Sequence, residues 1–316
     1  MRILLLALIS LLCPPAFAQT FPTKPIQIIV PLAPGGGTDL LARVIADKLR
    51  ERFSQPVTVE NRSGAAGNIG ADAVFKAAPD GHTLLFTQPA PLVVNKALYG
   101  KLTFEPEQFV PIALVSIQDI MLAVNPSVPA SSLPELIAYA KANPGKLNFG
   151  SSGAGSAPHL AAELFGSMAG VKMVHVPYKG SGESQAATLA GHVDLTFFAF
   201  STALRHTKAG KLRAIAVGGA KRNPQAPDVP SVSEVLPGYS AASWTGFVAP
   251  PGTPAPVAQT LASAIAAIVK MPDVQKRLVE AGDEPADMTP AQMAAFLREE
   301  RQRWGTLIKE LGIEAK

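Results

Sequence analysis

The sequence predicts an α/β protein of two lobes with a cleft between them, and three observations lead there. From Pro25 onward, short β-branched runs alternate with helical patterns of period near 3.6, which implies strands and crossover helices in largely parallel sheets. Glycine-rich turns close several of those strands and open the next helix, the position at which such sheets bind ligands. The run PIALVSIQDIMLAV (111–124) is long and extended and reads as a passage from one lobe to the other. A length of 316 residues fits two compact units, at roughly 100–200 residues each.

The elements follow in order. Residues 1–18, MRILLLALISLLCPPAFA, carry Arg2, an apolar stretch from Ile3 to Leu12 and the motif Ala16-Phe17-Ala18. This is the layout of a secretory signal peptide, cleaved after Ala18 and too short to span a membrane. PIQIIVP (25–31) is a buried-type strand; Asp39 to Phe53 is a helix with Leu41, Val44, Ile45 and Leu49 on one face. Strand 57–61, the turn RSGAAGNIGA, a helix to about Ala78, the turn PDGH and strand 82–88 follow. Beyond the passage come helix 133–142, strand 146–150, the loop SSGAGS, helix 157–169, strand 173–178, a short helix and strand 193–200. Residues 212–219 carry the chain back, and the proline-rich segment 221–240 reads as a surface loop. Strand 243–250, a helix over about 254–270 and an amphipathic helix over 290–311 complete the chain. The resulting division is 19–118 plus 219–316 for lobe 1 and 119–218 for lobe 2, with the side taken by the last helix left open.

Composition removes several functions. The formal charge is +4, or +3 without Arg2, and the charges are interspersed. Nucleic-acid binding needs a concentrated basic face, and aromatics at 6% are too sparse for single-strand stacking platforms. The one cysteine, Cys13, lies inside the signal peptide, preceded by Leu12 where acylation wants a small residue. A mature chain without cysteine excludes disulfides and thiolate chemistry. His82, His159, His175, His192 and His206 have no metal-ligand spacing, so neither metal nor cofactor is expected.

Two loops carry the functional signal. Ala33-Pro34-Gly35-Gly36-Gly37-Thr38-Asp39 joins a strand to a helix N-terminus; free N–H groups and the positive dipole end make it an anion cradle. The plainer reading is a tight turn with Thr38 or Asp39 as N-cap. Nucleotide versions fail, since no Gly-Lys-Ser/Thr follows and Leu40 occupies the third Rossmann glycine. Asn148 to Ser156 is a second such loop, leading into the helix that bears His159. Gly150-Ser151-Ser152-Gly153-Ala154 is nearly a nucleophile elbow, but Ala154 stands where the last Gly is needed. A secreted serine hydrolase using Ser152, with Asp194 and His206 in triad order, is the competing hypothesis. Tyr178 and Lys179, in Val176 to Gly180, either face an anion across the cleft or form a surface turn. Trp244 walls the cleft or fills core, and Glu299, Glu300, Arg301 and Arg303 read as a solvated helix face.

Several stretches then resemble a known family: PTKPIQIIVPLAPGGGTDLLARVIADKL, QPVTVENRSGAAGNIGADAV, NPGKLNFGSSGAGSAPHLAAELF, HVPYKG, AGKLRAIAV, PDVPSVSEVLPGY and W-x-G-x-x-A-P-P-G-T-P. They resemble, in order and over the whole mature chain, the Bug family of periplasmic receptors for tripartite tricarboxylate transporters. That resemblance implies a type II periplasmic-binding-protein fold in the periplasm, closing on a small carboxylate without catalysis. It places the ligand at Leu32, Ala33, Gly36, Gly37, Thr38 and Asp39, at Ser151, Ser152, Gly153, Ser156 and His159, and at Gln88, Tyr178, Lys179 and Ser201. Membrane transporter subunits or a sensor-kinase ectodomain are the implied partners, and a monomer is the expected state. The family commonly carries an acid or amide and a proline after strand 193–200, whereas this chain reads Ala199-Phe200-Ser201-Thr202-Ala203-Leu204-Arg205. The expectation is a di- or tricarboxylate or an aromatic acid rather than an amino acid.

Overall fold

The structure, a computed structural model, describes residues 21–314; the signal peptide expected at residues 1–18 lies outside the described residues. Two sheets organise it. The first has six strands, β1 (Ile26–Val30), β2 (Val57–Asn61), β3 (Thr83–Thr87), β4 (Val110–Gln118), β10 (Ser243–Ala249) and β11 (Asp283–Met288), in the order β11-β4-β10-β3-β1-β2. The second has five, β5 (Ile120–Val124), β6 (Asn148–Ser151), β7 (Val174–Pro177), β8 (Leu195–Ala199) and β9 (Arg213–Val217), in the order β7-β6-β8-β5-β9. The two sheets, each flanked by its own helices, give a two-lobed α/β fold.

The sheets are mixed rather than largely parallel. β1 runs parallel to β2 and β3, and β6 to β7 and β8, but β10 is antiparallel to β3 and β4, β11 to β4, and β5 to β8 and β9. The strands that cross between the lobes cause this: each enters the new sheet from the far end and so opposes its neighbours. The 111–124 run divides at a single residue, Asp119, with β4 in one sheet and β5 in the other. The chain returns between β9 and β10.

Helices pack on both sheets where their apolar faces dictate. α1 (Gly37–Phe53) begins two residues before the sequence pattern suggests and buries Leu41, Ala42, Ile45 and Leu49. With α8 (Ala255–Val269) it covers one face of the first sheet, around Ile26, Ile28, Phe86 and Phe247. α2 (Asn68–Phe75) stops short of Ala78; α3 (Asn95–Tyr99) follows a π-helical turn at Ala90–Val94. In the second lobe lie α4 (Leu133–Ala142), α5 (Ala157–Ala169), α6 (Ser181–Leu189) and α7 (Phe200–Lys208). Residues 199–205 are therefore the start of a helix, not a loop. α9 (Pro272–Ala281) and β11 follow α8, and neither shows a clear pattern in the sequence.

The last helix, α10 (Pro290–Leu311), has a complete capping box between Thr289 and Gln292 and ends at Gly312 in the left-handed region. It packs on β4, β11, α3 and the π turn, all on the first-sheet side. Glu300 is buried, accepting from Trp304 Nε1 at 3.0 Å and from Arg303, so this stretch is not a solvated face. Burial raises the Glu300 carboxyl above its ordinary value. Segment 221–240 is no free surface loop either: Asn223, Ser231, Val232 and Tyr239 are buried, and the Tyr239 hydroxyl donates to Ala161 O at 3.0 Å. Trp244 is core.

Candidate functional site

A cavity of about 790 Å³ lies between the sheets. Its inner end is closed by the two crossings, through Gln118, Asp119 and Ile120 on one and Ala241, Ala242 and Ser243 on the other. Four helices present their first turns to it: α1 through Gly37 and Thr38, α5 through Ala157 and Pro158, α6 through Ser181 and α7 through Phe200. First-turn N–H groups have no partner within the helix, and each dipole is positive at this end. These four helix starts make their side of the cavity electropositive, while the last turn of α9, with Arg277 and Glu280, lines the wall elsewhere.

The first cradle is built by its neighbours. Gly36 is the N-cap of α1, with no side-chain cap. Asp39, three residues into the helix, instead reaches back to accept from Gly35 N at 2.8 Å. Its carboxylate also receives Arg43 Nε at 3.1 Å and Asn61 Nδ2 at 3.0 Å. Asn61 Nδ2 donates as well to Leu32 O at 3.1 Å, tying the loop to β2. Burial alone raises the Asp39 carboxyl, but the bonds from Arg43, Gly35 and Asn61 outweigh it and hold it below its usual value. Asp39 thus fixes the cradle from beneath, while Thr38 faces the cavity.

From Thr38 a chain of side chains runs along the cavity floor. Gln88 Nε2 donates to Thr38 Oγ1 at 3.1 Å and to Gln118 Oε1 at 3.4 Å. Gln118 Nε2 donates to Asp283 Oδ2 at 3.1 Å, and Ser116 Oγ donates to the same oxygen at 3.1 Å. Because Thr38 Oγ1 is used here as an acceptor, its proton remains available to a bound anion.

The second cradle rests on a stack of rings. His159 and His175 lie face to face at 3.9 Å, and Phe149 stacks on His175 at 4.9 Å. His175 Nε2 lies 2.6 Å from Ser151 Oγ, and His159 Nδ1 accepts from Gly155 N at 2.9 Å. Ser156 Oγ and Ser151 Oγ both donate to Gly153 O, at 2.7 and 3.1 Å. Burial, followed by the neighbouring His159, pushes His175 down to about 4. Ser151, His159 and His175 thus hold the loop in shape behind its cavity-facing residues.

Among the residues anticipated from sequence, Gly37, Thr38, Gln88, Ser152 and Ser156 line the cavity. Asp39, Ser151 and His159 are buried behind them; Leu32, Ala33, Gly36 and Gly153 belong to the same two loops without lining it. Tyr178 N donates to Ser151 O at 3.0 Å and Lys179 N to Glu183 Oε2 at 3.2 Å, with both side chains outside the wall. Ser201 meets Gly282 across the lobes: a Cβ at Gly282 would lie 2.9 Å from that of Ser201. Ser152 lines the cavity, but among the described residues no hydrogen bond joins it to a histidine. Its supposed partner Asp194 accepts from Asn148 N at 2.8 Å, and among the described residues no hydrogen bond joins Asp194 to His206.

Sequence reasoning missed Asp119 and Asp283, two buried acids in the cavity wall. Asp119 Oδ1 accepts from Ile120 N and from Gly219 N, each at 2.8 Å, and thereby staples one crossing to the other. Burial pushes its carboxyl up to about 6, against bonds from Asn223, Ile120 and Gly219. Burial likewise raises Asp283, against bonds from Gln118 and Ser116. The available signal for Asp119 was its being the only acid in the 111–124 run. Nothing local marked Asp283. The missing acid at 199–205 therefore does not leave the cavity without one, and that segment gives no ground for excluding amino acids.

Two lobes hinged at two crossings around a helix-rimmed cavity define a solute-binding protein. The family model for the tripartite tricarboxylate transporter family receptor matches residues 41–313. Protein BugT of Bordetella pertussis is 37% identical over 305 residues, covering 96% of this chain and 94% of that protein. A Rhodopseudomonas palustris protein solved with adipate superposes with a TM-score of 0.79 at 36% identity, covering 93% of this chain and 99% of that one. MatC from Rhodopseudomonas palustris, with bound malate, gives 0.75 at 32% identity, over 91% of this chain and 100% of that one. The chain belongs to the tripartite tricarboxylate transporter receptor family, the Bug family, whose receptors are periplasmic.

Proposed function

We propose that this receptor is exported after cleavage at Ala18, captures a small carboxylate in the interlobe cavity and hands it to membrane transporter subunits. The observation that carries the reading is the convergence of four helix N-termini on one cavity. Each charge-assisted hydrogen bond contributes about 1.5–3 kcal/mol, and a helix N-terminus roughly 0.3–1. A few such bonds reach the ~8 kcal/mol of a micromolar complex. The relatives solved with adipate and malate support dicarboxylates as the first class to test, with tricarboxylates and aromatic acids beside them. The protein acts as a monomer and turns nothing over; a sensor-kinase ectodomain is the other partner of the same ligand-bound form.

The test is calorimetric titration of the mature protein with a carboxylate panel, repeated with Gly37→Asp. A Cβ at Gly37 meets nothing within 4 Å, and an acid in a helix's first turn is stabilising, so the variant folds. Its carboxylate sits in the cradle as an internal competitor. Saturable binding that Gly37→Asp abolishes is expected; undiminished binding by the folded variant removes the cradle from the site.

A further inference from the structure

The cavity is electrically lopsided. Four helix N-termini face it on one side, while its inner end carries the two buried acids, Asp119 and Asp283; a third acid, Glu280 at the end of α9, is exposed. Neither acid has an ion-pair partner among the described residues, although both are buried. The cation in the wall, Arg277 on α9, is exposed and joined to neither. An uncompensated carboxylate in a low-dielectric wall is costly unless donors reach it.

The two acids differ in what remains free. Asp119 is spent on the hinge: Oδ1 holds Ile120 and Gly219, and Oδ2 receives Asn223 Nδ2 at 3.4 Å. Asp283 uses only Oδ2, which takes the protons of Ser116 and Gln118. No donor among the described residues reaches Oδ1, and the residue lines the cavity with 8% of its surface exposed. The amide of Gln118 has its orientation imposed, since a carboxylate only accepts and Gln88 offers the opposing NH₂. The floor is therefore a polar line from a donor, the Thr38 hydroxyl, to an acceptor, Asp283.

We infer that Asp283 is the specificity residue of this cleft, accepting from a hydroxyl or ammonium group carried by a ligand whose carboxylate lies against the helix N-termini. The inference rests on the carboxylate-receptor reading and names the ligand class within it: hydroxy- or amino-carboxylates rather than unsubstituted acids. A plain second carboxylate at this end meets an acid of like charge. A hydroxyl completes the unfilled acceptor, and an ammonium group also neutralises it.

The experiment compares matched acids by calorimetric titration: succinate, malate and aspartate; adipate, 2-hydroxyadipate and 2-aminoadipate; phenylacetate, mandelate and phenylglycine. At least one set binds, and within it the substituted acids exceed the unsubstituted one at least tenfold. Ranking of the hydroxy against the amino acid identifies which donor is used. Asp283→Asn keeps an acceptor for Ser116 and Gln118, so it folds, and it erases the preference for an ammonium group. Equal binding within every set that binds overturns the inference and leaves the receptor reading intact. Discrimination that survives both Asp283→Asn and Asp283→Ala overturns the assignment to Asp283. Binding by no acid overturns the receptor reading and the inference together.

Discussion

Replacing Asp119 by asparagine has an effect whose sign depends on pH. The Asp119 carboxyl is pushed from 3.8 to about 6 by burial, so the native state holds its proton more tightly than the unfolded chain does. Stability from this group is then present below about pH 4 and is lost as pH rises through about 6. At 1.36 kcal/mol per pKa unit the loss is about 3 kcal/mol at neutral pH. The replacement amide carries no charge and keeps an acceptor oxygen for Ile120 and Gly219, but it turns an NH₂ toward Asn223, which donated to Asp119 Oδ2. That mismatch costs about 1 kcal/mol. The Asp119→Asn variant is therefore about 2 kcal/mol more stable than the parent at pH 7.5 and about 1 kcal/mol less stable at pH 4. Urea unfolding of both proteins at the two pH values measures the difference, in which all other titrating groups cancel. A difference of the same sign and size at both values refutes the reasoning.

Other residues give sharper local tests. Tyr239→Phe removes a buried hydroxyl that donates to Ala161 O and lowers stability by about 1 kcal/mol in urea unfolding; no change means the bond contributes nothing. Gly155 has a φ of +72°, and a Cβ there overlaps Leu98 of the opposite lobe. Gly155→Ala accordingly weakens ligand affinity at least tenfold, and unchanged affinity refutes this contact as a closing surface. His175 is depressed to about 4 by burial and then by His159, so its contribution is present above pH 6.5 and lost as pH falls toward 4. His175→Gln removes that acid sensitivity, seen as a flatter dependence of the urea midpoint on pH between 7 and 4.5; an unaltered slope refutes it.

Where local chemistry decided the outcome, the sequence was readable. α4 and α5 run over the residues anticipated, because Pro134 and Pro158 sit in first turns and apolar periodicity is clean behind them. The run 111–124 was visible as long and extended, though the residue at which it changes sheets was not. What stayed hidden depended on partners distant in the chain. Strand β11, DEPADM, has neither β-branched residues nor alternation and exists because β4 offers it an edge. Glu300 reads as surface until Trp304 and Arg303 fold over it. The glycine loops were legible as turns into helix N-termini because glycine runs and helix starts are local. The acids at the inner end come from Asp119 and Asp283, 164 positions apart and joined only by the fold.

On the second crossing the chain is gripped from both lobes. Tyr239 is bonded to α5 in one lobe, and its neighbour Ser240 accepts from Arg303 on α10, packed on the other. Ala241 N then donates back to Gly218 O at 2.9 Å, so relative motion is absorbed over the few residues 239–243. The first crossing is shorter still, changing sheets at Asp119. Two such narrow pivots define an axis and leave little room for sliding. Opening is then a rotation like that of a jaw, smallest at Asp119 and largest where Leu98 meets Gly155. A short ligand seated near the axis gains little leverage on closure, while one that reaches toward the rim draws the jaws together.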